Sequence, residues 1–190
     1  MLKELHNTED KAWWVVHGAT KEEEFVSLVA PQIGLKAEIN PEKLKDDYAP
    51  DLVIDDDRKI ADLKAQNTPF FTVGKTYRGY DPNYTVTFNK KDFDRYSELY
   101  PDIHILFWVK WLQTSMGKGI NRIEVSPIYG VWRCTLQEIC SFIHEGAPLH
   151  AYQRRGEDRD GNAKNSYLLD LRRMQCITEF DYTQVEIAEK

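Results

Sequence analysis

The sequence predicts a single α/β domain, and three observations carry that expectation. Segments with helical spacing of apolar residues alternate along the chain with short strand-like runs. One stretch, Ile103–Leu112, is almost continuously apolar, as a strand buried on both faces must be. Finally, 190 residues, 42% of them hydrophobic, can bury one core, and the chain has no internal repeat, low-complexity tract or linker.

The elements follow in order. Lys11–Val16 is short and apolar, a strand or packed lead-in. Thr20 then caps a helix over residues 20–33, with Glu22, Glu23 and Glu24 in its first turn, where the helix dipole favours acids. Phe25, Val26, Leu28, Val29 and Ile33 give this helix one apolar face, and Gly34 stops it. Leu35–Ile39 reads as a strand and Asn40–Lys45 as a loop or helical turn. Leu52–Ile54, the polar turn Asp55–Arg58 and Lys59–Gln66 form a β-hairpin. Asn67–Tyr84 is loop-rich, and Thr85–Phe88 alternates like a strand. Asn89 caps a helix with Phe93, Tyr96, Leu99 and Tyr100 on one side, and Pro101 ends it. After the central strand come a turn at Gly117–Gly119 and strands at Asn121–Ser126 and Ile128–Arg133. Thr135 and Glu138 make a capping box for a helix that Gly146 and Pro148 close. A polar loop over residues 153–165 leads to strands at Ser166–Leu171 and Gln175–Phe180.

Composition narrows the function classes. Cys134, Cys140 and Cys176 are odd in number and form no CxxC pair, which argues against a disulfide framework and a Cys-built zinc site. The polar N-terminus Met1–His6 reads as neither secretory signal nor transit peptide, and no apolar run reaches membrane-spanning length. A reducing, cytoplasmic location is expected. Net charge is −6, so a simple basic nucleic-acid binder is not indicated. The charge is uneven, however: residues 1–62 hold 15 acids against 8 bases. That imbalance fits either a carboxylate site or a solvated acidic surface.

The informative stretch is Pro50–Gln66, PDLVIDDDRKIADLKAQ. Asp51 opens one strand of the hairpin. Asp62, Lys64 and Gln66 alternate on the other and share a face, while Ala61, Leu63 and Ala65 point the other way. On a core face these polar groups need partners; on a solvent face the pattern is an ordinary Lys–Asp pair. Phosphodiester hydrolysis accounts for the residue types. Two carboxylates hold a hard divalent cation through oxygen, and the cation activates water. A lysine between acids stays protonated, so it suits stabilising developing charge better than acting as a base.

With Pro50-Asp51 and, eleven residues after that acid, Asp62-Leu63-Lys64, the chain resembles the PD-(D/E)xK nuclease superfamily. The resemblance implies a restriction-endonuclease-like αβββαβ core with a mixed central sheet, over about residues 18–112, and a C-terminal α/β elaboration over 113–190. It implies a catalytic set of Glu22, Asp51, Asp62, Lys64 and Gln66, with Asp51, Asp62 and Glu22 binding the metal. Glu22 takes the helix acid because, at about 100° per residue, it lies in the middle of the Phe25/Val26/Val29/Ile33 face; Glu23 is the fallback. The cofactor implied is Mg²⁺, with Mn²⁺ as substitute. The partner implied is nucleic acid, DNA in the first place; beside the resemblance, a homodimer is left open and, without a long apolar run, no membrane contact is expected.

Other candidates rank lower. His17 precedes the first helix, and His144 and His150 flank the end of another, without a zinc-type spacing. The aromatics Phe70, Phe71, Tyr77, Tyr80 and Tyr84, with Lys75 and Arg78, form either a base-stacking loop or a packed one. Arg154, Arg155, Arg159 and Lys164 alternate with acids, as in a solvated loop. The expected function is therefore a metal-dependent nuclease. The alternative is a non-catalytic nucleic-acid-binding or assembly module on the same fold. No GxSxG motif supports a small-molecule hydrolase.

Overall fold

The structure of the protein, a computed structural model, describes residues 21–151 and 165–180. The expected strand Lys11–Val16, His17, the cap Thr20 and the basic residues of the polar loop, Arg154 to Lys164, lie outside the described residues.

Helix α1 runs over residues 21–32. Its middle turn, Phe25–Val29, is π-helical, and Ala30–Gln32 returns to α geometry. Pro31 accounts for the wide turn, because it offers no N–H and its ring crowds the carbonyl one turn back. The helix closes on Gly34, whose φ is 67°. There the Leu35 N–H donates to the Ala30 carbonyl at 2.9 Å and the Gly34 N–H to Pro31 at 3.2 Å, the pair of bonds a left-handed C-terminal residue permits. The buried stripe is Phe25, Val29 and Ala30, whereas Leu28, expected on it, is 58% exposed. Leu28 lies 60° round the helix from Phe25, on the side away from Val29, at roughly 100° per residue, which puts it at the margin of the stripe.

Strands β1 (Ala37–Ile39), β2 (Leu52–Ile54) and β3 (Lys59–Gln66) form an antiparallel meander, with Leu52 opposite Ala61 and Val53 opposite Ile60. Its tight turn holds both Asp55 and Arg58 at positive φ. Then come β4 (Thr85–Asn89), helix α2 (Lys90–Leu99) and β5 (His104–Lys110). The Asn89 side chain caps α2 by accepting from Lys91 N–H. A small hairpin, β6 (Ser115–Met116) and β7 (Ile123–Glu124), precedes β8 (Tyr129–Thr135) and helix α3 (Leu136–His144). The Thr135–Glu138 capping box starts α3. The chain continues through β9 (Leu149–Ala151), β10 (Asn165–Asp170) and β11 (Gln175–Phe180).

The central sheet has six strands in the order β1-β2-β3-β5-β8-β11. Only β3 and β5 run parallel; the other neighbours are antiparallel. A parallel neighbour requires a crossover, and here it passes through β4 and α2. Strand β4 leaves the central sheet and joins a second one, β4-β10-β9.

Two cores cover the central sheet. On one face Phe25, Val29 and Ala30 of α1 pack on Leu52, Ile54, Ala61, Leu63, Leu106 and Trp108. On the other, Ile105, Phe107 and Val109 pack with Tyr96 of α2, Leu136 and Ile139 of α3, and Val86 and Phe88 of β4. Trp108, Trp111 and Trp132 are buried. Leu99, expected on the buried side of α2, is 59% exposed. It lies 60° round the helix from Tyr96 at roughly 100° per residue, at the margin of the stripe. Among the described residues, no helix is long and apolar enough to cross a membrane.

Candidate active site

The geometry starts from the parity of β3. Ala61 and Leu63 face α1, so Asp62 and Lys64 face α2. Asp62 is 3% exposed, the most deeply buried acid among the described residues. Its Oδ1 accepts from the Tyr96 hydroxyl at 2.7 Å. Its Oδ2 lies 2.7 Å from Lys64 Nζ as an ion pair, outside the alignment of a hydrogen bond. Lys64 Nζ donates to Asp92 Oδ2 at 2.7 Å and stands over the Phe88 ring. Arg95 Nη2 completes the ring of contacts, 3.0 Å from both Asp92 Oδ1 and the Tyr96 oxygen. Asp92 and Tyr96, one helical turn apart on α2, thus hold the two residues of β3, and Arg95 braces both.

Asp51 lies just outside β2. That strand has only three residues, so its ladder with β3 stops at Leu52 and Ala61. The Asp51 carboxylate extends it, with Oδ2 accepting from Leu63 N–H at 2.9 Å. Oδ1 accepts from Lys43 Nζ. The same ammonium donates to Glu22 Oε1 at 2.7 Å. Lys43 sits on a short 3₁₀ turn, Pro41–Leu44, rooted by the buried Asn40. The Asn40 side chain accepts from Glu42 N–H and donates to the Pro50 carbonyl, fixing the turn against the start of β2.

The electrostatics follow from burial. Desolvation, with the Asp51 charge adding, pushes the Asp62 carboxyl up to about 6, against the opposing pull of Lys64 and Tyr96. Asp51 is raised by burial and by Glu22. Burial works against the Lys64 ammonium, but Asp62 and Asp92 outweigh it and hold its pKa well above the usual lysine value. Lys43 is likewise raised despite burial, by Asp51 and Glu22.

The expected residues therefore fall into two linked groups. Glu22 and Asp51 share Lys43, and Asp62 and Lys64 share the α2 contacts. Leu63, between Asp62 and Lys64 on β3, links the groups through its N–H, which donates to Asp51. Glu22 is the acid of α1 that reaches Asp51's partner; Glu24 pairs with Lys21, and Glu23 is exposed. Gln66 stands apart. Its amide donates to the Thr87 carbonyl at 2.8 Å and accepts from Thr87 N–H at 3.2 Å, tying β3 to β4 as a strand rung would. Beyond it lies a cavity of about 210 Å³ lined by Gln66, Thr68, Phe70 and Thr87.

Among the described residues, no three Asp, Glu, His or Cys side chains close on one point as a metal group. Lys43 stands between Glu22 and Asp51, where such a point would be. The donors nevertheless fit a hard cation: all are carboxylate oxygens, and Asp62 Oδ2 is buried without a hydrogen bond.

Lys43, Asp92 and Arg95 were not singled out in the sequence, and Tyr96 was read only as part of the apolar side of α2. The spacing of Asp92, Arg95 and Tyr96 at i, i+3 and i+4 is a legible signal for one helix face; Lys43 carries none. In the loop after β3, Phe71 is buried, while Phe70, Tyr77, Tyr80 and Tyr84 are half-buried. Tyr77 bonds His150 and Tyr80 bonds the Leu168 carbonyl, so these rings pack against β9 and β10. Comparison of the chain with family models, with curated proteins and with solved structures gives no match.

Proposed function

We propose that the protein is a divalent-metal-dependent nuclease of the PD-(D/E)xK type, hydrolysing phosphodiester bonds of nucleic acid, DNA in the first place. One observation carries the reading: Asp62 and Lys64, two apart on β3, meet at 2.7 Å, and the Asp51 carboxylate is held at 2.9 Å by the N–H of Leu63 between them. The order of α1, the β1–β3 meander, α2 and the parallel β5 supports it as well, since it is the order the resemblance implies.

Asp51, Asp62 and Glu22 would hold Mg²⁺ or Mn²⁺. Bound there, the cation supplies an acidified water and offsets charge on the phosphate. The chain's own residues do the rest. Lys64, kept protonated by Asp62 and Asp92, offers its ammonium to a phosphoryl oxygen and does not serve as the base. Tyr96 and the Leu63 N–H fix the Asp62 and Asp51 carboxylates, so their free lone pairs keep one direction. Gln66 acts at a distance, holding the end of β3 against β4.

A second reading is favoured by one feature: each of these carboxylates already has an ammonium partner. A closed set of ion pairs suits a non-catalytic nucleic-acid-binding or assembly module. Incubating the protein with linear, branched and single-stranded DNA, and with RNA, in Mg²⁺ or Mn²⁺ separates the two. Cleavage that is lost in both Asp62→Asn and Lys64→Ala is the expected result. No cleavage of any substrate by the wild type, or cleavage by Asp62→Asn at the wild-type rate, overturns the nuclease reading.

A further inference from the structure

The Lys43 ammonium occupies the gap between Glu22 and Asp51, in ion-pair contact with one oxygen of each. It is the only contact that joins α1 to the start of β2 through charge among the hydrogen bonds and ion pairs of the described residues. The other oxygen of Asp51 is committed to the Leu63 N–H, so the oxygen facing Lys43 is the one left for a cation. The Lys43 side chain is 21% exposed and those of Glu22 and Asp51 are 15% and 13%, so the ammonium approaches from the solvent side of the two acids. Its backbone is less free to move, because Asn40 ties the turn to Pro50 and Glu42.

We infer that Lys43 is a resident cation that exchanges with the divalent ion and then contacts the substrate phosphate. This rests on the nuclease reading and adds a residue to it. Two cations cannot share the Asp51 oxygen at close range, since like charges a few ångströms apart repel strongly in a partly buried site. Entry of the ion therefore expels the ammonium. With the turn anchored at Asn40, the expelled side chain swings about its own stem and stays at the mouth of the site. A phosphodiester arriving there is the anion it meets. Lys64 also gives up an oxygen, Asp62 Oδ2, to the ion, but unlike Lys43 it keeps a carboxylate outside the metal set, Asp92 of α2, which holds it in place. The two lysines then flank the phosphate, one fixed and one delivered.

The test uses the full chain, with Lys43→Gln to remove the charge and Lys43→Arg to keep it. Mn²⁺ alone is titrated by calorimetry without nucleic acid. Lys43→Gln is expected to bind Mn²⁺ on the order of tenfold more tightly than wild type, and Lys43→Arg no more tightly than wild type. Unchanged or weaker Mn²⁺ binding by Lys43→Gln overturns the exchange, as does a failure of both proteins to bind the ion. Thermal melting gives a second readout should Lys43→Gln be poorly stable. Its Glu22–Asp51 pair then lacks a counter-charge, so Mn²⁺ is expected to raise its melting temperature more than that of wild type. An equal or smaller rise counts against the exchange. Binding of a short labelled DNA duplex in Ca²⁺ reads the second step: Lys43→Gln is expected to bind it several-fold more weakly, and equal or tighter binding overturns the phosphate contact. Unchanged Mn²⁺ affinity in Lys43→Gln, with a wild type that binds the ion and cleaves, sinks the exchange alone; a wild type that neither binds the ion nor cleaves sinks the nuclease reading with it.

Discussion

Asp62 carries the sharpest consequence of burial in this molecule. An unfolded aspartate titrates near 4, whereas burial, with the Asp51 charge adding, raises the folded carboxyl to about 6. Between those values the folded chain keeps a proton that the unfolded chain has released. Linkage then makes stability fall as pH rises through this window, by about 3 kcal/mol for a shift of this size. Asp62→Asn cannot ionise and lacks that slope. Thermal melts at pH 4 to 7 are expected to show wild type losing stability relative to Asp62→Asn as pH rises; parallel curves would remove the basis for a buried, raised carboxyl. The presence of Asp62 and Lys64 on one face was legible in the sequence, because strand parity is a strict period of two. The depth of Asp62 was not. Depth depends on Tyr96, thirty-four positions away, and no local pattern announces which helix will cover a strand face.

At the scale of elements, the turn carrying Lys43 is held by one side chain. Asn40→Ala leaves the buried Pro50 carbonyl, and the more exposed Glu42 N–H, without their partner. The expected cost is about 2 kcal/mol, read as a lower denaturation midpoint with an unchanged m-value. A loss indistinguishable from zero would mean that the backbone bonds of the turn suffice. The hairpin, the caps of α2 and α3 and the central strand were all readable, because each has a local cause: Asn89 and Thr135 at caps, and a run of apolar residues in β5. The π turn of α1 and the departure of β4 to a second sheet were not. The first comes from Pro31 acting within an otherwise regular apolar pattern. The second is settled by pairing with β10, a strand nearly eighty residues further along the chain. Lys43 was missed for a similar reason: its partners belong to α1 and to the approach to β2, and nothing in its own turn marks it.

For the molecule as a whole, the nuclease reading makes activity depend on a divalent ion of suitable size. Cleavage is expected to vanish in excess chelator and to return with Mg²⁺ or Mn²⁺. Ca²⁺, which takes looser and higher coordination, is expected to restore far less. Cleavage unaffected by chelator would refute the carboxylate–metal mechanism. The parallel pairing of β3 with β5 has a separate consequence, in time. Lys64 lies opposite Phe107 across a crossover that must first thread β4 into a second sheet and fold α2. The meander β1–β3, by contrast, is closed by connections of twelve and four residues, against thirty-seven between β3 and β5. Closing the long connection is the slower event, so Tyr96 and Asp92 reach their β3 partners late in folding. A Tyr96→Phe change is then expected to quicken unfolding while leaving the refolding rate nearly unaltered. Stopped-flow measurements of both limbs would show it; a slowed refolding limb would mean that α2 docks before the barrier. On this ordering the hairpin exists before its cover does, and a chain still closing its crossover holds Asp62 and Lys64 without the helix that aims them.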